Sequence, residues 1–116
     1  MTDGELVVVL TTVPDTAAAE ALAQALLAER LIACATALPG ARSFYWWEGR
    51  LETADEIQLL LKTTSTRLPA LLRRLPELHP YQVPELLALP VPLAAEPYAR
   101  WAAAVVANAL EDPAAG

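Results

Sequence analysis

Among its 116 residues the sequence holds only four glycines, one cysteine, one histidine and one lysine. Each scarcity excludes something. Four glycines leave no GxGxxG fingerprint, no phosphate-cradling P-loop and no GxSxG nucleophile elbow, and HExxH is absent as well. With Cys34 alone there is no internal disulfide and no CxxC knuckle, and one Cys with one His cannot build the usual zinc site within a chain. A lone thiol suits a reducing compartment, so the cytoplasm is the expected location. Basic side chains number eight against 14 acidic ones, for a net charge of −6, and they are scattered. No basic stripe could displace counterions from a nucleic acid, so none is expected as a partner. The acidic excess favours solubility and the company of cations. No apolar run reaches the roughly 20 residues a bilayer requires, which argues against a membrane partner. The opening Met1-Thr2-Asp3-Gly4-Glu5 is acidic where an export signal would be basic.

What is present is aliphatic. Hydrophobic residues make up 55% of the chain and aromatics only 6%, enough apolar surface to offset the ordering entropy of one folded domain. That domain spans residues 1–116, with a core over about 6–110 and a flexible tail over about 111–116. Residues 6–12 are a β-branched apolar run without polar alternation, which predicts a strand covered on both faces. Pro14 ends it and Asp15 stands where a helix N-cap belongs. Helical spacing over 16–30 follows, with Arg30 at the negative end of the dipole.

A strand resumes at 31–38, bulges at Pro39-Gly40, and continues through Ser43-Phe44-Tyr45-Trp46-Trp47 to a reversal at Glu48-Gly49-Arg50. The return arm runs through Ile57 to Thr63, so each arm is about twice the usual five- to six-residue strand, or more. Trp46 and Trp47 point to opposite faces, so one of them is expected to pack on its own protomer. Glu52, Asp55 and Glu56 read as a solvated acidic patch. Ser65 or Thr66 caps a second helix carrying Leu68, Leu71, Leu72 and Leu75, which Pro76 is expected to kink or end. A last strand falls at 86–91, and Glu96-Pro97 opens a third helix with Tyr98, Trp101 and Val105 on one face.

The order is strand, helix, strand, strand, helix, strand, helix. Two βαβ halves joined by a long hairpin give an α+β ferredoxin-like βαββαβ sandwich with an added C-terminal helix. Both main helices cover one sheet face, while the apolar runs place side chains on both. The second face must therefore pack on another chain, which predicts an obligate oligomer.

Three features carry possible chemistry. The segment His79-Pro80-Tyr81-Gln82-Val83-Pro84-Glu85 is stiffened by its prolines. His79 and Glu85 are plausible ligands for a divalent cation, Cu(II) best by intrinsic affinity, with a third donor from water or a neighbouring chain. The plainer alternative is a rigid connector whose histidine hydrogen-bonds nearby. Lys62 ends an apolar run and could receive an anion at a subunit seam, or could simply snorkel. Cys34 is a possible thiol ligand, or a small buried hydrophobe. No base–orienter pair for catalysis is visible, so the chain is expected not to be an enzyme.

These residues resemble the CutA family of divalent-cation tolerance proteins. The matching stretches are Thr12-Val13-Pro14-Asp15, Glu29-Arg30-Leu31-Ile32-Ala33-Cys34, Pro39-Gly40, Ser43 with Tyr45-Trp46-Trp47-Glu48-Gly49, Lys62-Thr63, and His79-Pro80-Tyr81 with Val83-Pro84-Glu85. Ala88-Leu89-Pro90 and Tyr98 continue the match. The resemblance implies a compact homotrimer, an architecture similar to the PII signalling proteins, and a small effector or divalent cation bound at intersubunit clefts. Lys62, Tyr45, Trp47 and Tyr81 are the expected cleft residues. A signalling scaffold in which metal binding is incidental is the alternative. Thr36, where the family commonly has Asn, and Pro76 depart from its pattern.

Overall fold

The computed structural model describes residues 4–111, with side chains through 107; the expected tail therefore lies, from 112 onward, outside the described residues. Seven elements follow in order: β1 (Leu6–Val13), α1 (Thr16–Ala28), β2 (Cys34–Trp47), β3 (Arg50–Thr64), α2 (Leu68–Leu78), β4 (Leu87–Pro90) and α3 (Glu96–Glu111). The strands form one antiparallel sheet in the order β2-β3-β1-β4, the ferredoxin-like arrangement. No described helix is long and apolar enough to cross a membrane.

The core lies where α1 and α2 cover one sheet face. Val7, Val9 and Val13 of β1 alternate toward it with Ile57, Leu59 and Leu61 of β3, and meet Leu22, Leu26, Leu71 and Leu75 of the helices. The other face is less bare than the sequence suggests. Ala102 and Val106 of α3 pack on Leu6 and Ala33 there, forming a second small core. The apolar faces of this sheet thus have cover from three helices, not two. Of the α3 residues expected on one face, Val105 packs against this second core. Tyr98 and Trp101 stay exposed while the small Ala102 lets the helix approach the sheet closely.

Local chemistry explains the element ends. Asp15 caps α1 by accepting from Ala18 N–H at 2.8 Å. The helix closes in a Schellman turn: Leu31 N–H reaches Leu26 O and Arg30 N–H reaches Leu27 O, both at 3.0 Å. Arg30 holds the left-handed position there, at φ 58°, where glycine is usual. Ser65 and Thr66 do not cap α2. Arg67 is its N-cap and makes no side-chain cap bond, since a guanidinium offers no acceptor, while the Ser65 hydroxyl accepts from Glu5 N–H at 3.0 Å. Pro76 does not end α2 either. Buried Leu71 and Leu75 anchor the turns just before the missing N–H, and His79 N–H closes the last turn on Leu75 O at 2.9 Å.

The hairpin is as long as expected, 14 residues in β2 and 15 in β3. Its tip is a two-residue turn with Glu48 and Gly49 at φ 50° and 78°, the primed geometry that matches strand twist. Register shifts between Leu38 and Ala41, placing a bulge at Pro39-Gly40. That bulge has a consequence for the site. Before it Cys34 and Thr36 pair with Lys62 and Leu60; after it Ser43, Tyr45 and Trp47 pair with Ala54, Glu52 and Arg50. The extra residue moves odd-numbered side chains of β2 onto the face that even-numbered ones held before. Ser43, Tyr45 and Trp47 thereby share a face with Glu56. Neither tryptophan is buried within the chain: Trp46 is 70% exposed and Trp47 41%.

Candidate functional site

A cleft of about 500 Å³ opens between the hairpin and the segment that follows α2. Tyr45 and Trp47 line it from β2, Tyr81 and Val83 from the connecting segment, and Glu56 from β3. Thr12, Ser43 and Gln82 add polar groups to its lining, as does Glu85, which is itself exposed. The cleft exists because α2 must return to β4 at the sheet edge. Pro80 and Pro84 keep that return extended, so it passes across the ends of β1 and β3 instead of coiling.

His79 fastens the segment. It is buried, with Nε2 2.9 Å from Thr11 Oγ1 and Nδ1 accepting the Tyr81 N–H at 3.1 Å. Since Nδ1 accepts, the ring proton of neutral imidazole sits on Nε2 and is donated to Thr11. Burial holds this histidine below its ordinary pKa of 6.5, against opposing effects from Thr12 and the Glu56 charge. Both nitrogens are thus committed within the chain. The expected pairing of His79 with Glu85 at a cation does not carry into the geometry: Glu85 lines the cleft, whereas His79 anchors the segment behind it.

The residue that sequence reasoning missed is Glu56. Far from lying in a solvated patch, it is 8% exposed and accepts from the Tyr81 hydroxyl at 2.7 Å. Burial pushes its pKa up, but hydroxyl hydrogen bonds from Ser43, Tyr81 and Thr12 together outweigh this and hold the carboxyl below its usual range. Tyr81 is correspondingly pushed up, by burial first and by its bond to Glu56 second. The legible signal was the register: once the bulge is placed at Pro39-Gly40, Glu56 falls on the same face as Ser43 and Tyr45.

Tyr45, Trp47 and Tyr81 do come together, as expected, but Lys62 is not with them. Its ammonium donates to Thr36 Oγ1 at 2.6 Å and lies 3.7 Å from Cys34 Sγ. Half-buried Cys34 also neighbours Tyr98, whose pKa is raised by burial and by that thiol. Lys62 and Cys34 thus form a separate polar pair under α3. Among the described residues no three His, Cys, Asp or Glu side chains converge on a common point.

Sheet order, crossover helices and this cleft define a ferredoxin-like α+β sandwich with a buried carboxylate presented beside aromatic rings. Over residues 7–105 the sequence matches the model of the CutA1 divalent ion tolerance protein family, and the chain belongs to that family. It is 56% identical over 97 residues to the divalent-cation tolerance protein CutA of Citrobacter koseri, covering 84% of each chain. The crystal structure of CutA from Xylella fastidiosa superposes with a TM-score of 0.86 at 41% identity, over 89% of this chain and 99% of that one. A CutA from Archaeoglobus fulgidus, described as periplasmic, superposes at 0.83 with 30% identity, over 87% and 98%.

Proposed function

We propose that this chain is a non-catalytic binding protein, working as a cytoplasmic homotrimer, whose cleft over Glu56 receives a small ligand in the context of divalent-cation tolerance. The observation that carries this is the placement of Glu56: a buried carboxylate that accepts from the Tyr81 hydroxyl at 2.7 Å at the wall of a cleft, its pKa held below the usual range. Such a group is a poor general base, because the same hydroxyls that hold its charge lower its proton affinity. It is a good receptor for a cation. The Ser43, Thr12 and Tyr81 hydroxyls face an acceptor that is not poised to take a proton, and no nucleophile–base pair results.

Trimer formation draws support from the two sheet edges. β2 and the four-residue β4 are both unpaired on their outer sides, and Leu38, Leu87 and Leu89 stand exposed on them. Copper, or another divalent ion, would be held by Glu56 and Glu85 with water or a neighbouring chain completing the set. His79 would contribute only by positioning Tyr81.

Sedimentation equilibrium and calorimetric titration with CuCl2 test this reading. Three times the monomer mass is expected, with Cu(II) uptake weakened in Glu56→Gln/Glu85→Gln and kept in His79→Gln. A folded monomer, or uptake unaffected by the carboxylate pair, overturns it. The PII-like scaffold is favoured by one observation, that both ring nitrogens of His79 are engaged within the chain. A trimer with no Cu(II) uptake in any variant would select it.

A further inference from the structure

The cleft is larger than an ion needs and is lined for something else. Its volume of about 500 Å³ lies within the roughly 300–1,000 Å³ typical of small-molecule pockets. Oxygen donors occupy only part of the lining. Tyr45 and Trp47 present ring surface from the hairpin, and Val83 presents an aliphatic group from the connecting segment. A hard metal ion gains little from rings and methyls, whereas an organic cation gains from both.

Glu56 fits the charged end of such a ligand. It enters no ion pair among the described residues, and it accepts a side-chain hydrogen bond from the Tyr81 hydroxyl at 2.7 Å. An ionised carboxylate offers about four acceptor positions; the Tyr81 hydroxyl takes one at 2.7 Å, and the Ser43 and Thr12 hydroxyls line the same cleft, which leaves room for a further N–H. Arg42 does not serve instead. It is paired with Asp55 at 3.1 Å and already lies over the Phe44 ring at 5.9 Å, so Phe44 acts as a wall and not as a free cation-binding face. The net charge of −6 further favours the approach of cations.

We propose that the Glu56 cleft binds a small primary organic ammonium compound, its N–H donated to the Glu56 carboxylate and its apolar body lying between Val83 and the Tyr45 and Trp47 rings. This rests on the reading of the cleft as a receptor and names the class of ligand it receives. Selection follows from the chemistry. An alcohol of the same shape keeps the apolar contacts but loses the charge, and a carboxylate of similar size is repelled.

The test is a matched series on the full-length protein at fixed ionic strength: 2-phenylethylammonium, 2-phenylethanol and phenylacetate, followed by calorimetry and tryptophan fluorescence. The ammonium is expected to bind at least about tenfold more tightly than the alcohol, with phenylacetate weakest. Glu56→Gln, which keeps shape and removes charge, should bring the ammonium down to the affinity of the alcohol. If that variant folds poorly by circular dichroism, the wild-type series decides alone. Equal binding of ammonium and alcohol, or tighter binding of phenylacetate, overturns the charge selection while leaving the cleft a receptor. No binding of any probe up to about 10 mM, weaker than useful recognition, overturns both the ligand class and the receptor reading.

Discussion

Three physical effects at single residues set local stability here. Gly4 sits at φ 92°, and a Cβ there would stand 2.3 Å from Ser65 Oγ and 2.9 Å from Thr66 N. Gly4→Ala must therefore strain the backbone and break the Glu5–Ser65 exchange, and a loss of about 1–3 kcal/mol is expected in urea unfolding. Arg30 is the opposite case. It holds a left-handed position at a cost glycine does not bear, and its side chain makes only a 3.3 Å bond to Val105 O. Arg30→Gly should raise stability by up to about 1 kcal/mol.

The third effect is protonation. Glu56 has a folded pKa below its ordinary 4.5, so its contribution is present above that value and is lost as pH falls through the folded one. His79 is depressed below 6.5, so the unfolded chain takes up its proton first and stability declines as pH drops beneath 6.5. Urea midpoints at fixed protein concentration, taken between about pH 7.5 and 2.5, should therefore fall in two stages. Tyr81→Phe should shrink the lower stage and His79→Gln the upper. An unchanged profile in both variants would mean that the Thr11–His79–Tyr81–Glu56 chain of contacts does not couple to folding.

At the scale of elements, α2 shows how tertiary contact overrides propensity. A proline nine positions into a helix removes a donor and crowds the preceding turn, which is why the sequence pointed to a break at Pro76. Leu71 and Leu75, both fully buried, make continuation worth more than the lost bond. Pro76→Ala restores an N–H to Leu72 O while loosening the unfolded chain, so a net gain of about 1–2 kcal/mol is expected. The hairpin teaches a different lesson. Its length, its turn and its bulge were all legible, because each rests on residue types with a local meaning: Gly49 at a primed turn, Pro39-Gly40 at an interruption. What the bulge does to the facing of Glu56 was legible only in principle, since it needs the pairing of both arms at once. Arg74 joins α1 to α2 through Glu29 at 3.0 Å, a contact across 45 residues of sequence that no local pattern announces.

For the whole molecule, the exposed hairpin aromatics are the feature that a single chain leaves unexplained by its own packing. Phe44 and Trp46 are more than two-thirds exposed, and Leu51 beside them is equally so. In a lone chain Trp46→Ala should change stability by no more than about 0.5 kcal/mol, as for most surface positions. If assembly buries the ring, the cost rises toward about 3–5 kcal/mol and the sedimenting mass falls with it. Sedimentation and unfolding of the same variant at two protein concentrations separate these outcomes, because only linked assembly makes stability concentration-dependent.

The chain by itself determined the order and type of its elements, the antiparallel ferredoxin-like topology, the family, and the grouping of Tyr45, Trp47 and Tyr81. The elements and topology follow from hydrophobic period, caps and turns, and the family and the expected grouping from the resemblance that a distinctive pair of motifs carries, all written in short stretches of neighbouring residues. Only the tertiary structure decided that His79 is a buried clasp, that Lys62 belongs with Cys34, that α3 covers part of the second sheet face, and that Glu56 is the charged wall of the cleft. The physical reason is common to all four. Burial and hydrogen-bond partnership are properties of a place in space, where a carboxylate from β3 meets hydroxyls from β1, β2 and the segment after α2. Whether an ionisable side chain serves as a ligand, a fastener or a solvated charge depends on which groups the fold brings to it, and those groups are far apart in sequence.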